Sequence, residues 1–152
     1  MVLSIEDRKI ADKVRELGDA VESMEIERIA SMFTEDCKIY ILNKELTGKE
    51  GVRAWLNWLF QNLVSISFEP ITAAVKGDTF YEEFLVIGTM RSDEVITSRQ
   101  AEVIVIDRES MKIKSLRLYF DRMDFLNSIS TDPITRWASR RLKKRTRKGL
   151  ET

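Results

Sequence analysis

Asp121 closes the run Arg117-Leu118-Tyr119-Phe120-Asp121, in which apolar and polar residues alternate. A carboxylate at the end of such a strand stands where a core gives way to a cleft, and there it can serve as a general base. Its plainer role is a structural hydrogen bond at the strand end. Glu102 is the second candidate, set among Ala101, Val103, Ile104 and Ile106. It is either a partly buried functional carboxylate or the partner of a nearby arginine. A third carboxylate comes from the pair Glu82-Glu83. Strand neighbours point to opposite faces, so only one of the two can look inward. Tyr81 and Glu83 share one face, and Phe80, Glu82, Phe84 and Val86 share the other, which has the more core-like composition. Trp55, Tyr40, Tyr81, Arg99 and Tyr119 are the candidates for contact with a substrate. Glu82, Arg99 and Arg117 have the alternative of a solvated sheet face or an ion pair. Two carboxylates flanking an apolar cavity would raise one pKa by up to a few units through desolvation and mutual repulsion. One could then act as acid and the other as base near neutral pH. Such a pair suits proton shuttling, enolisation, aldol-type cyclisation or hydration of a small apolar substrate, and it calls for no metal and no cofactor.

What the chain lacks narrows the chemistry further. It has no histidine, so Ser-His-Asp and Cys-His catalysis and histidine-ligated zinc are excluded. Proton transfer must fall to Asp, Glu, Tyr, Lys or water. The six glycines are scattered, and none forms a phosphate loop. The single cysteine, Cys37, cannot make an internal disulfide and reads as a small buried hydrophobe of a reducing, cytoplasmic protein. The first residues, Met1-Val2-Leu3-Ser4, do not resemble a secretory leader.

The elements that must hold these residues are legible from periodicity. Ser4 and Asp7 open a helix over about 4–22, with Ile10, Val14, Leu17 and Val21 on one face. A short helix over about 25–33 turns Ile26, Ile29, Met32 and Phe33 inward, and Lys38 to Leu42 is a short strand. Asn43 to Leu46 reads as a loop. Thr47-Gly48-Lys49-Glu50 has the form of a capping box before a helix over about 48–62, whose Val52, Trp55, Leu56, Leu59 and Leu63 follow helical spacing. From Ser65 the period becomes two. Strands follow at about 66–75, 79–90, 95–107 and 111–120, with a kink or bulge at Pro70 and another at Ser115. The short connections imply an antiparallel meander.

Together these predict an α+β domain: a cone-shaped, curved antiparallel or mixed β-sheet wrapped around three N-terminal helices, with one pocket, over residues 1–131. Residues 132–152 form a basic amphipathic helix and tail. Residues 1–135 carry 17 basic and 24 acidic side chains, and residues 136–152 carry eight basic and one acidic. Asp132 and Pro133 suit a cap and first helical residue. Ile134, Trp137, Ala138 and Leu142 share a face, expected to dock on the acidic body or on a sister subunit. Binding of nucleic acid or an anionic surface is the alternative for this tail. No apolar run approaches a membrane span.

The order of elements from about residue 8 to 127 resembles the nuclear-transport-factor-2-like superfamily, in its SnoaL-like and limonene-epoxide-hydrolase-like branch. The landmarks are Phe33-Thr34-Glu35-Asp36, Thr47-Gly48-Lys49-Glu50-Gly51-Val52 and Tyr119-Phe120-Asp121. The resemblance implies a small-molecule pocket, an acid–base reaction of epoxide-hydrolase, isomerase or cyclase type, and a homodimer formed through the sheet. A non-catalytic dimeric module of the same fold is the other implication. Arg117-Leu118-Tyr119-Phe120-Asp121 is similar to the segment whose aspartate activates water in limonene epoxide hydrolases, which makes Asp121 the base. The Arg-x-Asp of that site falls on Phe84-x-Val86, or on Tyr81-x-Glu83 if the register slips, and only the second supplies an acid. The acid of the ketosteroid-isomerase oxyanion hole matches Glu102.

Overall fold

The computed structural model describes residues 3–125, 133–148 and 150. Helix α1 spans Ile5–Glu22, and the Ser4 hydroxyl accepts from the Asp7 amide at 3.1 Å, so the start expected from Ser4 and Asp7 is made. Its buried stripe is Ile10, Val14, Leu17, Ala20 and Val21. Helix α2 is a short turn, Ile26–Ser31. Strand β1 then runs Phe33–Ile41, longer than the sequence suggests, and Phe33 belongs to it rather than to the helix. The reason is local: Met32 ends α2, and Glu35 and Asp36 face outward on a strand that buries Phe33, Cys37, Ile39 and Ile41.

The expected loop at Asn43 to Leu46 is instead a hairpin. Strand β2, Lys44–Thr47, pairs antiparallel with β1, and Leu42 and Asn43 take φ of 53° and 61° in the two-residue turn. Leucine is not a residue that announces such a turn, which is why the sequence pattern hides it. Helix α3 spans Gly48–Phe60. The capping box is not made: Thr47 gives no side-chain cap, and Glu50 pairs with Arg53 at 2.5 Å. Thr47 is still held in the β1–β2 ladder opposite Lys38, so its side chain is committed to strand geometry.

Strands β3 (Leu63–Lys76), β4 (Thr79–Met90), β5 (Val95–Asp107) and β6 (Lys112–Phe120) complete one six-stranded sheet of order β2-β1-β6-β5-β4-β3. The β1–β6 pair is parallel and every other pair antiparallel. A register shift between Pro70 and Thr72 gives the expected irregularity in β3. Another places Val105 opposite Ser115 and Ile106 opposite Ile113, so Lys114 is the extra residue, beside the expected Ser115. Bulges of this kind bend and twist a sheet. This sheet curves around α1 and α3 without closing, and the core lies between them, with Phe33, Ile39, Leu56, Ile104, Ile106, Ile113 and Leu116 fully buried.

The C-terminal helix runs Pro133–Lys148; Asp132 and the 131/132 boundary fall outside the described residues. Ile134, Trp137 and Leu142 are 78%, 59% and 51% exposed, so the expected docking of this face on the chain's own domain does not occur.

Candidate functional site

The rungs of the sheet determine what faces inward. Reading across β3, β4, β5 and β6, one rung is Ala73–Glu82–Glu102–Leu118 and the next is Pro70–Phe84–Gln100–Phe120. The inner faces of these rungs, together with α1, α3 and Phe125, line a cavity of about 480 Å³. That volume lies within the range of small-molecule sites. Most of the lining is apolar, including Val14, Leu17, Trp55, Leu59, Ile66, Phe80, Val86 and Leu116.

Into this apolar lining the sheet projects two carboxyl groups. Glu82 and Glu102 are directly opposed across β4 and β5 and hydrogen-bonded to each other through their side chains. Burial pushes Glu102 well above the ordinary carboxylate value of 4.5, and the charge of Glu82 and the hydrogen bond to it push in the same direction. Glu82 is also raised by burial, but the hydrogen bond with Glu102 opposes that rise. Two carboxyl groups so placed favour holding a proton between them, with Glu102 the side that burial and the Glu82 charge both push up. Glu102 keeps some exposed surface, and it lines the cavity.

A second polar line runs along β5. Gln100 lines the cavity and donates through Nε2 to Ser98 Oγ at 3.3 Å, and Ser98 Oγ donates to Asp124 Oδ2 at 2.8 Å. Asp124 sits in the short turn after β6. There Asp121 Oδ1 accepts the Met123 amide at 2.9 Å, and the Phe125 ring meets Phe120 edge to face at 5.4 Å. This turn folds Phe125 onto the cavity. On α3, Trp55 lines the cavity, and its buried Nε1 has no hydrogen-bond partner among the described residues.

These positions sort the residues that the sequence singled out. Glu102 and Trp55 line the cavity. Asp121 does not: it is exposed, its carboxylate caps the Met123 turn, and the strand-end hydrogen bond is the role the geometry gives it. Glu83 faces away from the cavity and pairs with Arg99 at 3.1 Å on the outer side of the sheet. Tyr81, Tyr40 and Tyr119 are outer-face residues, 43%, 38% and 56% exposed. Tyr40 and Tyr119 flank a separate outer cleft with Arg117. Alternation is the cause: Tyr81, Val103, Arg117 and Tyr40 share one outer rung, and Glu83, Ala101 and Tyr119 the next. Glu82, Gln100 and Phe125 are among the cavity residues that sequence reasoning did not assign, as are Asp19 and Glu22 of α1. The signal for Glu82 was its place on the Phe80–Phe84–Val86 face, against the register that the resemblance favoured. Among the described residues no group of three or more Cys, Asp and Glu side chains is placed to hold a metal ion.

A SnoaL-like domain model matches residues 14–115, more than half of the chain. The chain belongs to the SnoaL-like family. Glu82, Gln100 and Glu102 lie inside the matched residues, and Asp121 lies beyond them. No curated protein matches the SnoaL-like chain in sequence. Solved structures share its fold. A putative SnoaL-like polyketide cyclase from Jannaschia sp. CCS1 aligns with a TM-score of 0.73 at 14% identity, over 88% of this chain and 99% of that one. An NTF2-like protein from Anabaena variabilis ATCC 29413 aligns at 0.70 and 19% identity, over 80% and 94%. SalBIII, described as an epoxide hydrolase/cyclase-like enzyme in pyran ring formation in the polyether salinomycin, aligns at 0.68 and 19%, over 77% and 94%. At these identities the likeness is one of fold, an α+β NTF2-like fold with a curved, open six-stranded sheet.

Proposed function

We propose that this SnoaL-like domain binds a small, largely apolar molecule bearing oxygen functions, and that Glu82 and Glu102 carry out acid–base chemistry on it without a cofactor. The observation that carries this reading is the pair of opposed, hydrogen-bonded carboxyl groups in an apolar cavity. The reaction that suits the pair is ring closure or ring opening at a strained ether, or enolisation. In ring closure, the Glu82 carboxylate takes the proton of a hydroxyl whose oxygen forms the new C–O bond. Glu102 gives its proton to the oxygen of the C–O bond that breaks. One proton enters the pair and one leaves it. The pair then resets by proton transfer from Glu82 to Glu102 along their hydrogen bond. Phe125 helps to exclude water, which strengthens every polar interaction inside.

Incubation with a panel of epoxy alcohols and cyclic ketones, with products resolved by chiral chromatography, tests the reading. Formation of ring-closed, ring-opened or enolised product above the buffer rate supports it. Saturable binding of the same compounds with no turnover reduces the protein to a binding module. In the same assay Asp121→Asn retains wild-type turnover, because an amide oxygen still accepts the Met123 amide. A large loss there restores Asp121 as the base.

We also propose that the outer sheet face pairs two copies. Tyr81, Tyr119 and Tyr40 are exposed on it around the Arg99–Glu83 ion pair, and large exposed apolar surfaces mark association sites. Sedimentation equilibrium is expected to give a dimer that Tyr81→Arg splits; a monomeric wild-type chain contradicts this.

A further inference from the structure

The C-terminal helix gathers its large apolar side chains in its first ten residues, and the cavity uses none of them. Over Pro133–Lys148 it carries eight arginines and lysines and no acidic residue. Ile134, Trp137, Ala138 and Leu142 stand at i, i+3, i+4 and i+8 and so share one broad face, and all four are exposed. The Arg141 guanidinium lies one turn beyond Trp137 on that same face and stacks over its ring, 5.2 Å from the centroid, so a cation is held against the apolar stripe. No helix among the described residues is long and apolar enough to cross a membrane. A 16-residue helix with this pattern is suited to lying flat in the headgroup region of a bilayer instead. Its apolar stripe sinks to the acyl boundary while its cations face lipid phosphates.

We propose that Pro133–Lys148 is a membrane-surface anchor that recognises anionic lipid. Charge alone would fit any polyanion, but the apolar stripe decides between occupants. A nucleic-acid backbone offers nothing to Ile134 and Leu142, and the described residues present no aromatic platform for bases beside them. A bilayer interface takes up the whole stripe, and tryptophan is the side chain best adapted to that depth. The acidic body of the domain, a net of −7 over residues 1–135, is not seated on this stripe, which remains exposed. It would turn away from an anionic surface and leave the helix as the point of attachment.

The test is flotation of the full-length protein with vesicles of phosphatidylcholine alone, or with about 30% phosphatidylglycerol, at physiological salt. The expected result is binding only to the anionic vesicles. Trp137→Glu weakens it by at least about tenfold, because a charge replaces an interfacial aromatic. Replacing Arg140, Arg141, Lys143 and Lys144 together by glutamine weakens it by about 100-fold or more, since each cation near such a surface contributes roughly a further fivefold. Unchanged thermal melting of both variants shows that the domain is intact, as expected for an exposed helix. Failure of the wild-type chain to float with anionic vesicles overturns the proposal. So does Trp137→Glu binding as well as wild type, or tighter binding to single-stranded or duplex oligonucleotide that ignores Trp137→Glu, which would make the helix a simple polycation.

Discussion

Glu102→Gln is expected to lower turnover of any substrate that the cavity accepts by about 10²–10⁴-fold, the usual contribution of a positioned acid or base. Substrate affinity should change little. Glutamine keeps the shape of the protonated acid and still donates to Glu82, so the cavity wall survives while the transferable proton is gone. The same substitution has a signature in stability that activity cannot imitate. The folded state holds a proton on Glu102 at pH values where the unfolded chain, with an ordinary value of 4.5, has lost it. Below that value both states are protonated and the burial of Glu102 costs little. As pH rises from about 4.5 toward the raised folded value, wild-type stability falls, by at most about 1.4 kcal/mol per pH unit for one proton. The glutamine variant lacks this dependence. Its denaturation midpoint should therefore gain on wild type as pH increases through that window. A difference that stays flat from pH 4 to 8 contradicts a raised Glu102.

Phe33→Ala is expected to cost about 3–5 kcal/mol, the range for removing a fully buried ring. Phe33 has no exposed surface, and it starts the strand that joins β2 to the rest of the sheet through β6. Since domains of this kind have only about 5–15 kcal/mol in total, the variant should melt far earlier or fail to accumulate. Thermal unfolding followed by circular dichroism measures it. A loss below about 1 kcal/mol would mean that the site collapses around the missing ring and that the β1 start is not a rigid part of the core.

The contrast between these two residues shows how much of the molecule the sequence carries. Periods of 3.6 and 2 located α1, α3 and β3 to β6, because each element has one buried face and repeats its apolar residues accordingly. They failed at residues 33–47, where Phe33 to Asp36 looks like a helix ending and the Leu42-Asn43 turn lacks glycine. Tertiary pairing with β6 decides that segment, and no local pattern records it. The site was half legible. Glu102 stood out as a charge within an apolar strand, and the cavity follows from a curved sheet over helices. Which of Glu82 and Glu83 faces inward was present in the alternation, but a motif register borrowed from relatives selected Glu83. Asp121 misled for a geometric reason. It ends the correct strand, but the chain turns immediately after it, and its carboxylate is used to hold that turn while Phe125, four residues on, reaches the cavity.

The claim on which the mechanism rests is a neutral Glu102 carboxyl facing Glu82 inside the cavity. Carbon-detected NMR titration of the glutamate side-chain carboxyls, with Glu102→Gln identifying the resonance, addresses it directly. The account predicts a Glu102 signal that remains protonated well above 4.5 while the exposed glutamates titrate together. A Glu102 signal that titrates with them would show a solvated, charged carboxylate and leave the cavity without its acid.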